Sequence, residues 1–154
     1  MKLLFFFVII TSLVFSLSNC SEDKSWIYFD YDMVKAFHYS NEGKGVSSNS
    51  GVFFDGKMNP TIINPNGVKL NPEQIKFLGE VLNGNKNKNE TGQSECYIPH
   101  HGIVFYKADD IVAHISICFM CNQIVSVPKN QLNHTVVLEP MFKELGIPIN
   151  KDVY

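Results

Sequence analysis

The sequence predicts an α+β domain, a small antiparallel sheet with a central β-hairpin and one or two helices packed on one face. Three observations predict it. Residues 96–121 (CYIPHHGIVFYKADDIVAHISICFMC) hold two β-branched and aromatic runs, 103–106 and 111–119, parted by Ala108-Asp109-Asp110, which is a hairpin pattern. Asn71-Pro72-Glu73-Gln74 reads as a helix start, with Ile75, Leu78 and Leu82 recurring on one face behind it. Short aromatic or apolar runs bounded by Gly, Pro and Asn fill much of the rest.

Taken in order, residues 26–31 (WIYFDY) and 34–39 (VKAFHY) read as strands, and 41–51 as a loop rich in Gly, Ser and Asn. Residues 52–54 form a short strand ending at the Asp55-Gly56 turn, and 61–63 another between Pro60 and Pro65. In the helix, Asn71 is the N-cap, Pro72 takes the first helical position, Phe77 and Val81 flank the apolar face, and Asn83-Gly84 ends it. A polar loop leads to Cys96. After the hairpin, Ile124, Val125 and Val127 make a further strand that stops at Pro128. A second helix runs from Pro140, with Met141, Phe142 and Leu145 inward and Gly146 as its stop.

The N-terminus carries an address. Met1-Lys2 precedes a largely apolar run of about 15 residues, shorter than the roughly 20 that a membrane span needs. Leu17-Ser18-Asn19-Cys20 resembles a bacterial lipobox, in which the cysteine is acylated and becomes the mature N-terminus; Asn19 departs from the usual small residue there. This divides the chain into a signal peptide (1–19), a tether (20–25) and a single domain (26–154). Ser21, in place of an aspartate, favours the outer membrane or cell surface by resemblance to bacterial sorting rules. Glu22-Asp23 looks like the acidic tag of some surface lipoproteins.

The formal charge is −2 at pH 7, and −3 once Lys2 leaves with the signal. All 13 basic residues are lysines. Without arginine, the usual fork for phosphates and base edges, and without a basic cluster, the chain is not read as a nucleic-acid binder.

A hairpin returns the chain on itself, so its two ends meet. Cys96, the His100-His101 pair, Cys118 and Cys121 are therefore expected at one corner of the sheet. A three-residue turn at 108–110 places Val104 opposite His114 and His100 opposite Cys118; a two-residue turn slips the register and brings His101 to Cys118. Three chemistries suit such a corner. Cys96, Cys118, Cys121 and one histidine of the pair make a Cys3His set for tetrahedral zinc. A disulfide from Cys96 to Cys118 or Cys121 staples the hairpin in an oxidising compartment. A Cys–His pair makes a nucleophile and its base, although none of these cysteines opens a helix, where a thiol is best activated. His114, mid-strand between Ala113 and Ile115, is expected to be a satisfied core or surface histidine and not a ligand.

The pattern Cys96-x-x-Pro99-x-His101-Gly102-Ile103-Val104-Phe105-Tyr106, then Ile117-Cys118-Phe119-x-Cys121 and Phe142-x-Glu144-Leu145-Gly146-Ile147, resembles a loose family of uncharacterised bacterial envelope lipoproteins. The resemblance implies one folded module and no particular activity. Together these readings give a protein held to a membrane by its N-terminal lipid. Its domain serves as a binding or interaction module for a protein or small molecule, its corner closed by zinc or a disulfide. The alternative is an exported zinc- or thiol-dependent hydrolase.

Overall fold

The computed structural model describes residues 27–43, 45–84, 96–129 and 135–149. The signal and tether, with Cys20, lie outside the described residues.

Seven strands and two α-helices make up this part of the chain. In order they are β1 (Met33–His38), β2 (Phe53–Phe54), β3 (Lys57–Met58), β4 (Val68–Lys69), α1 (Pro72–Leu82), β5 (His101–Lys107), β6 (Asp110–Cys118), β7 (Gln123–Val127) and α2 (Glu139–Glu144). A 3-10 turn, Val136–Leu138, leads into α2. Five strands form one antiparallel sheet in the order β4-β1-β5-β6-β7, and β2 and β3 pair apart from it. The expected α+β class is the class observed.

β5 and β6 are the expected hairpin, but its tip and its body follow different registers. Lys107 pairs with Asp110 across a two-residue turn, and Ala108 takes the left-handed backbone at φ 52°. Between Tyr106 and Phe105 the register then shifts by one, because Val112 is an extra residue on β6. From there down, Val104 faces His114 and His101 faces Ile117. The bulge supplies the residue that a longer turn was expected to supply, so the body keeps the register of the three-residue turn.

Alternation along the strands sorts side chains onto two faces. One face carries Val34, Ala36, Ile103, Phe105, Ile115 and Ile117, packed against Leu78, Val81 and Leu82 of α1 and against Leu138, Met141 and Phe142. The other carries Phe37, Tyr39 and Val104, packed against Val52 of the long loop between β1 and β4 (residues 39–67, with β2 and β3 inside it), with Phe53, Met58 and Ile62 partly buried beside them. Because β5 is covered on both sides, its first five residues are all buried.

α1 starts where the sequence expects. Gln74 N–H donates to Asn71 Oδ1 (2.8 Å), and Asn71 N–H donates to Gln74 Oε1 (2.9 Å), a complete capping box. Residues 27–31 are not the expected strand. Ile27, Phe29 and Tyr31 pack on the helix-side core as irregular chain, with Phe29 and Tyr31 both edge-on to Phe105. Burial of alternate aromatics satisfied the strand pattern without a partner strand. Of 61–63, Ile62 alone forms a bridge, to Tyr39.

The long loop is held on the second face by a buried amide cluster. Asn41 Nδ2 lies 2.8 Å from the Ser50 and Pro99 carbonyls and 3.0 Å from that of Ser48, and Asn59 Nδ2 donates to Asn41 Oδ1 (2.7 Å). Pinned this way, Val52 lies over Gly102, where a Cβ would come within 2.4 Å of the Val52 Cβ. Gly102→Ala is therefore expected to destabilise the domain by about 1–3 kcal/mol. Adding Val52→Ala should recover part of that loss, as a denaturant titration of single and double variants would show. Equal stability of wild type and Gly102→Ala would contradict this packing.

Candidate functional site: a sulfur corner and an open cleft

The end of β6 carries the sulfur chemistry. Cys118 closes the strand, Phe119 and Met120 make the turn, and Cys121 follows. Cys118 and Cys121 are disulfide-bonded, with Cα atoms 5.2 Å apart, and Cys121 N–H donates to Cys118 Sγ (3.1 Å). Asn122, at φ 52°, turns the chain into β7, and its Oδ1 accepts from Thr135 N–H (2.9 Å) and Thr135 Oγ (3.1 Å). The third sulfur arrives from the other arm. Tyr97 O–H donates to the Ser116 carbonyl (3.2 Å) and the Pro99 carbonyl accepts from Asn41, which straps residues 97–99 along the sheet. Cys96, one residue before the strap, has its Sγ 3.5 Å from Cys121 Sγ. The corner that the hairpin was expected to build does gather all three cysteines. The bond within it joins Cys118 to Cys121, not Cys96 to either, because the turn after β6 brings those two together locally.

The histidines go elsewhere. His101 is 1% exposed and sits on the helix side of β5, edge-on to Phe119 (4.9 Å) and Phe142 (5.4 Å). It stacks on His38, its partner across β1 and β5, with centroids 5.1 Å apart and planes 13° apart. Its Nε2 lies 2.8 Å from the Pro148 carbonyl; a carbonyl only accepts, so Nε2 carries the hydrogen. His100 turns toward the Ser40 carbonyl, with the Glu42 charge nearby. Among the described residues no group of three His, Cys, Asp or Glu side chains is placed to hold a metal ion. His114 lies mid-strand against the Phe53 ring, and its buried Nδ1 has no hydrogen-bond partner among the described residues, so it is not the satisfied histidine expected there.

Burial dominates the electrostatics of this histidine group. It pushes the His101 imidazole down to about 4, against the pull of the Pro148 carbonyl, and the neighbouring His38 and His100 push the same way. His38 and His100 are also lowered, mainly by burial. Burial raises the Tyr39 and Tyr97 hydroxyls, which stay neutral donors to the His101 and Ser116 carbonyls.

At the opposite end of β5 the second face opens into a cleft of about 460 Å³. Its walls are Lys35, Phe37 and Tyr106 from the sheet, Met58 and Ile62 from the long loop, and Asp109 from the hairpin turn. Lys35 Nζ lies 5.9 Å over the Tyr106 ring. The cleft therefore has an apolar, sulfur- and aromatic-lined floor beside one cation and one carboxylate. Sequence reading missed it, and missed His38 as the partner of His101, since both depend on which strand lies beside β5. The only sequence signal was alternation in 34–39, which puts Lys35 and Phe37 on one face and His38 on the other.

No protein-family model, no curated protein and no solved structure matches this chain.

The His101 shift fixes a pH dependence. The unfolded chain protonates this imidazole near the ordinary value of about 6.5, the folded protein only near 4. Between these values the unfolded state holds more protons, so the contribution is full above pH 6.5 and is lost as pH falls toward 4, by about 3 kcal/mol. Denaturant titrations at pH 7 and 4.5 should show this loss in wild type and a shallower one in His101→Phe, which keeps the ring contacts. Equal slopes in both proteins would contradict it.

Proposed function

We propose that this chain is a lipid-anchored protein of the bacterial envelope whose domain is a binding module, closed at one end of its sheet by a disulfide and open at the other to its ligand. The observation that carries this reading is the cleft between the sheet and the long loop. Its composition suits a partner with an apolar body and an anionic group, the body on Phe37, Met58 and Tyr106 and the anion toward Lys35. That partner is a small molecule or a short segment of protein. The anchor rests on the N-terminal pattern and Cys20. Lipidation there would tether the domain to the outer membrane or cell surface.

The Cys118–Cys121 bond supports a disulfide in preference to zinc at the corner. The hydrolase reading draws less support, since the His101 imidazole is placed among Phe119, Phe142 and the Pro148 carbonyl.

A photo-crosslinking residue placed at Met58, in the anchored full-length protein on cells, should give a discrete adduct that Lys35→Glu weakens several-fold. The same residue at exposed Lys76 of α1 should give none. Absence of adducts at Met58, Ile62 and Tyr106 alike would overturn the binding reading.

Thiol counting tests the staple separately. With Cys20 acylated through its sulfur, the denatured, unreduced protein should titrate one thiol, and three after reduction. Three thiols before reduction, together with one equivalent of zinc, would replace the staple with a metal site.

A further inference from the structure

The corner places a disulfide and a third sulfur in a particular relation to solvent. Cys118 and Cys121 are each 1% exposed, so a large external thiol cannot reach their bond directly. Cys96 is exposed, and its Sγ lies 3.5 Å from Cys121 Sγ. It does not sit there by accident of a loose end. The Tyr97 hydroxyl on the Ser116 carbonyl fixes the next residue two positions before Cys118. The other sulfur of the bond, Cys118 Sγ, accepts the Cys121 N–H at 3.1 Å, a donor that steadies negative charge on that sulfur.

We propose that these three sulfurs form a thiol–disulfide relay, in which Cys96 carries oxidising equivalents from the buried Cys118–Cys121 bond to an external polypeptide dithiol. In the first step the Cys96 thiolate attacks Cys121 Sγ. A Cys96–Cys121 bond forms, the Cys118–Cys121 bond breaks, and the electron pair leaves on Cys118, which receives the Cys121 N–H. No net oxidation occurs; the disulfide moves to a sulfur that solvent reaches. In the second step a thiolate of the external dithiol attacks Cys96 Sγ and expels the Cys121 thiolate. In the third, the second external thiolate attacks the mixed disulfide and releases Cys96 as its thiolate. The dithiol has lost two electrons and two protons. Cys118 and Cys121 have gained them as thiols, and Cys96 is unchanged. The relay depends on the Cys118–Cys121 bond and is independent of the cleft and its ligand.

The test uses the oxidised full chain in detergent, with a reduced, unstructured peptide carrying two cysteines as the probe. Wild type should oxidise one equivalent of peptide, and acid quenching followed by alkylation and mass spectrometry should trap a Cys96–Cys121 linkage. Cys96→Ser should keep the Cys118–Cys121 bond and the wild-type melting temperature, yet react at least tenfold more slowly. Equal rates in wild type and Cys96→Ser would overturn the relay, as would a wild type that leaves the peptide reduced. Cys118→Ser gives a second check. Under the oxidant that closes the wild-type bond it should form a Cys96–Cys121 disulfide, and two persisting thiols would contradict the proposal.

Discussion

The alignment of β5 with β6, Val104 opposite His114, is the constraint on which the rest of the structure depends. Side chains alternate along a strand, so this one alignment decides which residues of 101–106 enter the helix-side core and which meet the long loop. It sends His101, Ile103 and Phe105 toward the helices, and Gly102, Val104 and Tyr106 toward the loop. It also sets where β6 ends, and so where Cys118 stands relative to the chain entering β5. A slip by one residue would turn Tyr106 toward the helices and Ile103 and Phe105 toward the long loop, so both packed faces would be mismatched. The strand body therefore overrides the tip, and a bulge absorbs the difference.

Polar groups then do what apolar packing cannot, which is to fix direction. The Asn41 amide ties three carbonyls from two chain segments, and Asn59 ties that amide in turn. These bonds set the loop at the height where Val52 fills the space above Gly102. The Tyr97 strap does the same for the segment bearing Cys96. The sulfur corner thus sits at the His101 end of β5 and the cleft at the Tyr106 end, the two separated by the length of the strand.

What could be read from the sequence divides by range. The helix at 72–82 was legible because its cap, its proline and its apolar face are all local. The hairpin was legible for the same reason, and with it the meeting of Cys96 with Cys118 and Cys121. Its turn was not, since Ala108-Asp109-Asp110 suits a two- or three-residue connection and the bulge at Val112 depends on the face that must be buried. The aromatics at 27–31 read as a strand because edge-on packing against Phe105 leaves the same alternating pattern as a ladder. The histidine pair drew attention as ligands, whereas His101 is a core residue whose Nε2 partner is the Pro148 carbonyl, 47 positions along the chain. No local pattern encodes that contact. The pairing of Cys118 with Cys121 follows from a turn of two intervening residues. The expected pairings joined Cys96 to Cys118 or Cys121, because they followed the long-range return of the hairpin and not this local turn.

The most direct measurement of the central claim is the cross-strand alignment itself, by backbone nuclear Overhauser contacts in the labelled protein. Contacts pairing Val104 with His114 and Gly102 with Ser116, and Lys107 with Asp110 beyond the bulge, are the expected result. Contacts pairing Val104 with Ala113 or with Ile115 instead would contradict it, because His101 would then leave the helix-side core and Gly102 would no longer lie beneath Val52.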